Sequence, residues 1–140
     1  MFAALPLLAL PVIFYNLLAA TLAGGFHGPD AARRLGAPVF TVRTASHVDW
    51  AVSLSDLMLM AALVVLFAEL LKSAASHRTA IVNHSLSMVL FIVCLVEFLL
   101  FPAFATSTFF LLMLMVLLDV LAGFIVTIVA ARREIDVNER

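Results

Sequence analysis

Residues 109–131 read FFLLMLMVLLDVLAGFIVTIVAA, 23 positions in which Asp119 is the only ionisable side chain. About 20 apolar residues in helical form cross the hydrocarbon core of a bilayer. This stretch therefore reads as a transmembrane helix with an acid near its middle. Asp119, Gly123, Thr127 and Ala131 recur every fourth residue and share one face. Small residues at that spacing let helices approach closely in lipid. A charged Asp at that depth costs about 2.5–3.5 kcal/mol to insert. It is expected either to sit in a packing face, protonated or hydrogen-bonded to a neighbour, or to form a proton or cation site.

Three further apolar stretches precede it, at residues 5–22, 51–71 and 80–101. The chain is 65% hydrophobic and only 12% charged, with mean hydropathy +1.19. A soluble domain carries about 25% charged residues, so this surface must face lipid or other proteins. The fold expected is an all-α integral membrane protein, a single domain over residues 1–140 folded as an antiparallel bundle of four transmembrane helices. Lipids are its expected surroundings, and a net charge of -1 gives no case for nucleic acid. Cys94, the one cysteine, has no disulfide partner in the chain. The first residues lack the Lys or Arg of a signal-peptide n-region, so residues 5–22 are read as a retained span, with Pro6 and Pro11 in its first half.

Residues 26–50 form the one long connection. Its 38–44 portion, PVFTVRT, reads as extended, and Gly28-Pro29 and Ala37-Pro38 mark turns. Ser46 with Asp49 three residues on resembles a helix N-cap, which predicts a helix from near His47 running directly into the second span. Trp50 would then lie at the headgroup level. Lys72, Arg78, Arg132, Arg133 and Arg140 fall on one side of the spans and Arg33, Arg34 and Arg43 on the other. That bias predicts both termini, including the short charged tail at 132–140, in the cytoplasm, with the bacterial inner membrane as location.

The third span carries a polar seam. Asn83, Ser87, Leu90, Cys94 and Glu97 follow spacings of four and three and should face another helix. If the second and third spans form a hairpin turning near Ser76 and His77, Asp56 is level with Glu97 and Glu69 is level with His84. Both pairs cannot occupy one seam, because 13 residues of helix rotate the side chain by about 140°. Asp56 meeting Glu97 would put two carboxylates in one site, and Glu69 meeting His84 would make an acid–imidazole pair. Glu69 could instead reach Lys72 one turn on as a surface ion pair. Asp56, Glu69, Glu97 and Asp119 lie inside spans with no Lys or Arg well inside, so a proton, a metal ion or a partner's basic residue is expected to balance them.

Other chemistry is weakly signalled. His27, Asp30, His47 and Asp49 match no closed zinc pattern. His84 is the one histidine well placed for haem, but His27, His47 and His77 lie in loops or at interfaces. No cofactor is therefore expected within the chain, and a haem or metal shared with a partner stays open. Phosphate-loop, dinucleotide and HExxH signatures are absent, as is a nucleophile–base geometry, so an enzyme is not expected. The leading expectation is an accessory or assembly subunit of a larger integral-membrane complex, touching other membrane subunits or copies of itself through Asp119 or Glu97. The alternative is a proton- or cation-conducting homo-oligomer using Asp56, Glu97, Asp119, Glu69 and His84 in order of depth.

Overall fold

The computed structural model describes residues 5–22, 24–75 and 77–138, with side chains described at all of these except 73–75, 77–81, 127 and 130–138. Helix α1 spans Ala9–Leu22, α2 Ala31–Leu35, α3 Leu54–Ala75, α4 His77–Leu100 and α5 Ser107–Asn138. Strands β1 (Pro38–Arg43) and β2 (Asp49–Ser53) stand between α2 and α3, and a 3-10 turn at Pro102–Phe104 joins α4 to α5. The molecule is mostly helical. Three of its helices contain segments long and apolar enough to cross a membrane, at Leu54–Lys72, Val82–Leu100 and Ser107–Val126. The fourth, α1, is apolar but has 14 residues, about 21 Å of helix against about 30 Å of hydrocarbon.

Proline sets where α1 begins. Pro6 lies before the helix, and its carbonyl and that of Leu7 accept the first turn-forming bonds, from Ala9 and Leu10. Pro11 falls in the first turn, where its missing N–H is not needed. The expected span from residue 5 is thus a turn followed by helix. Gly24 and Gly25, at φ of 79° and 92°, take the chain out of α1 through a region that other residues enter at a cost.

The connection to α3 corrects the sequence reading. No helix starts near His47. That residue has φ 62° at the tip of a β-hairpin, closed by Thr44, whose amide and hydroxyl both donate to the Val48 carbonyl at 2.9 Å. Strands β1 and β2 pair antiparallel, with Thr41 opposite Ala51, Val42 opposite Trp50 and Arg43 opposite Asp49. The fold is therefore not purely helical. The cap motif is real but belongs seven residues later: the Asp56 amide donates to Ser53 Oγ at 3.2 Å, and Asp56 Oδ2 accepts from the Ser53 amide and hydroxyl at 2.9 and 2.7 Å. This reciprocal arrangement starts α3 at Leu54. Cross-strand pairing with the β-branched and aromatic residues of β1 takes the 49–53 stretch away from the helix.

Helices α1 and α4 run one way and α3 and α5 the other. Ser55 and Thr108, in the first turns of α3 and α5, meet at 3.1 Å between hydroxyl oxygens. Helix α5 packs most extensively against α4 and α3. At the hairpin end the core is aromatic: Tyr15 lies 5.5 Å from Phe104 and 4.7 Å from Phe109 between ring centroids. The Tyr15 hydroxyl has one proton, which goes to the Ala103 carbonyl at 2.9 Å, so its 2.6 Å contact with Thr106 makes the threonine the donor there. Thr106 also caps α5, accepting from the Phe109 amide at 3.2 Å. The middle of the core is apolar, with Ala62, Cys94, Leu112 and Val116 fully buried.

Candidate functional site

The other end of the bundle, near the α3–α4 connection, is polar inside. Glu69, in the fifth turn of α3, is completely buried. Its Oε1 accepts from Asn83 Nδ2 at 2.7 Å and from Lys72 Nζ at 3.2 Å, and its Oε2 accepts from the Leu7 amide. Lys72 reaches the carboxylate because i and i+3 positions are neighbours on a helix. Its ammonium has three protons and meets three acceptors: Glu69, the Leu5 carbonyl at 2.8 Å and Asn83 Oδ1 at 3.2 Å. Asn83 donates to the carboxylate and accepts from the ammonium, which fixes the orientation of its amide.

The chain of contacts continues along α4. Ser87 lies within 3.1 Å of the Asn83 carbonyl and 2.5 Å of Asp119 Oδ2. Ser87 Oγ is the donor toward both oxygens, so its one proton is shared between the Asn83 carbonyl and the Asp119 carboxyl. Asp119 is fully buried, and its Oδ1 lies 3.9 Å from His84 Nδ1. Among the described residues neither of those atoms, nor His84 Nε2, has a hydrogen-bond partner. Gly123, one turn beyond Asp119, lies against the imidazole so closely that a Cβ there would coincide with the ring.

The expected site residues separate accordingly. Asp119, His84 and Gly123 come together on the α4–α5 seam, and Asn83, Ser87 and Cys94 are buried along the polar stripe. The side chains of Thr127 and Ala131 lie outside the described residues. Glu69 pairs with Lys72 and Asn83 rather than with His84, which turns to Asp119 instead; and the Glu69–Lys72 pair is buried at the carboxylate, not a surface pair. Asp56 closes the α3 cap, and Glu97 accepts from Asn16 Nδ2 at 3.3 Å, so each carboxylate has its own partner. Lys72 supplies Glu69 with a cation from within the chain, the partner one turn on that its spacing allowed. His84 is enclosed between Asp119 and Gly123, the setting of a packed imidazole. Asp30 pairs with Arg33 at 2.9 Å and His27 sits edge-on to Phe101; among the described residues no group of three His, Cys, Asp or Glu side chains could hold a metal ion.

Sequence reasoning missed Tyr15 and Thr106, and it missed that Lys72 binds the amino-terminal segment. A Thr followed two and three residues later by the Thr108-Phe109 pair was an available cap signal for the first of these. The second had none, because the acceptor is a backbone carbonyl. Comparison with protein-family models, curated proteins and solved structures finds no match for this chain.

Proposed function

We propose that this is a small polytopic membrane protein, crossing the membrane four times with α1 as the shortest span, that serves as an accessory or assembly subunit of a larger integral-membrane complex. In this reading both termini are cytoplasmic and the hairpin faces the opposite side of a bacterial inner membrane. The observation that supports a subunit role is the hairpin. Every residue of β1 is exposed, and a two-stranded sheet leaves an unpaired edge on each strand. Open edges invite strand addition by another chain. Asp119 is enclosed within its own bundle, so the partner contact moves from the span interior to this hairpin. A photocrosslinker at Thr41 in cells, followed by mild-detergent purification, tests the reading. One membrane protein captured from Thr41 and not from Val129 is the expected result. A particle containing this chain alone, with no crosslink, removes the subunit role.

The buried polar chain from Lys72 to Asp119 favours a second reading, a proton- or cation-conducting homo-oligomer. The fully buried Cys94, Leu112 and Val116 core is apolar and lies between that chain and Glu97, which is why conduction ranks below assembly. Flux no greater than that of empty liposomes under a pH gradient would eliminate it.

A further inference from the structure

A groove runs down the outside of α3 beneath the hairpin. Trp50 and Asp56 stand at its mouth, and Met60, Leu63, Val64 and Phe67 continue it, enclosing about 830 Å³. Positions 56, 60, 63 and 67 follow helical spacings of four and three, so the groove is one face of α3. From Asp56 to Phe67 it extends about 16 Å, half of a hydrocarbon core about 30 Å thick. Its walls are apolar and exposed, with Phe67 at 63% and Val64 at 69%. The mouth is chemically different. Both cap bonds of Asp56 end on Oδ2, so the cap does not require the other carboxylate oxygen. Strand alternation puts Trp50 with Val42 on one face of the hairpin and Arg43 with Asp49 on the other. Among the described residues the groove lining therefore offers an acid and an indole, and no basic side chain.

We propose that this groove holds one acyl chain of a phospholipid whose headgroup is a primary ammonium, phosphatidylethanolamine, with that ammonium between Asp56 and Trp50. A carboxylate oxygen accepts the N–H hydrogen bonds that a primary ammonium donates, and the indole face attracts the same cation. A quaternary ammonium has no N–H to give and is recognised by a cage of several aromatic rings, where this mouth has one. An anionic headgroup without an amine meets Asp56 and no cation. The proposal depends on the membrane setting and is independent of the subunit role, since it uses the Trp50 face of the hairpin and leaves the strand edges free.

Trp50 is the only tryptophan, so its fluorescence reports on the groove directly. The full chain is reconstituted in phosphatidylglycerol vesicles containing a minor fraction of lipid brominated on the acyl chain, with either an ethanolamine or a glycerol headgroup. Brominated phosphatidylethanolamine should be enriched at Trp50 about two- to fivefold over its glycerol counterpart, the preference an exposed ion pair with Asp56 provides. Asp56→Asn should abolish the difference. Ser53→Ala, which weakens the cap and keeps the carboxylate, should preserve it. Equal quenching by the two lipids in the unsubstituted protein overturns the proposal, because the groove is then ordinary lipid contact. Absence of quenching by both overturns it as well, and so does a preference that survives Asp56→Asn.

Discussion

At Gly123 a methyl group has nowhere to go, since a Cβ there would fall on the His84 ring. Gly123→Ala must push the imidazole aside or separate α4 from α5. Overpacking of this kind costs about 1–3 kcal/mol, and the melting temperature in detergent should fall accordingly. Pairing it with His84→Ala should recover part of the loss, a coupling of about 0.5–3 kcal/mol for residues in contact. Strictly additive effects would show that the ring and the glycine do not meet. Ser87→Ala removes the hydrogen-bond partner that Asp119 Oδ2 has among the described residues, inside a site with no exposure. Loss of about 1–3 kcal/mol, read as a lower melting temperature in detergent, is expected for a buried polar atom left unmatched. The four-residue spacing of Asp119 and Gly123 made their shared face legible without coordinates. Lys72 as a partner of Glu69 was legible from its spacing, but the partner on α4 was not: Asn83 and His84 are adjacent in sequence and level in depth, but point about 100° apart, and depth matching alone cannot choose between them.

Two copies of the same signal compete at the start of α3. Ser46 with Asp49 and Ser53 with Asp56 both fit a cap with an acid three residues on, and only the second is used as one. Ser53→Ala should therefore destabilise the protein by about 1 kcal/mol, while Ser46→Ala should be close to neutral. The reverse order, measured by thermal unfolding of the two variants side by side, would place the helix start where sequence alone put it. That misplacement has a physical origin. A cap motif describes what a local segment can do, and the 49–53 stretch is claimed by a partner strand more than five residues away, whose extended character was visible in the 38–44 residues. The far end of α3, both ends of α4 and the start of α5, by contrast, lie within a few residues of the ends of the apolar runs, because continuous apolar runs have no competing use. The far end of α5 differs, the helix continuing through the charged tail to Asn138.

Across the molecule, α1 is fastened to later parts of the chain by hydrogen bonds at two places. In the segment leading into it, Lys72 and Glu69 bind the Leu5 carbonyl and the Leu7 amide; at its middle, Tyr15 binds Ala103 and Thr106. Lys72→Met strips the cation from a completely buried carboxylate and releases the Leu5 carbonyl. The Leu7 amide should then exchange with deuterium faster than in the unsubstituted protein, while amides near Tyr15 keep their protection. Uniform acceleration along α1 would instead mean that its two anchors are not separate.

Those anchors also impose an order on biogenesis. Residues 5–22 leave the ribosome well before the residues that fasten them by hydrogen bonds, Glu69, Lys72, Glu97, Ala103 and Thr106. At about 5–20 residues per second, the first helix waits about 5–20 s for the last of its binding sites to be made. A segment made early is thus locked in place late, and its wait is spent beside the insertion machinery with Asn16 and the Leu5 carbonyl unclaimed by their final partners. Nascent chains stalled before Thr106 emerges should leave α1 open to protease or crosslinker, and chains stalled well beyond it should not.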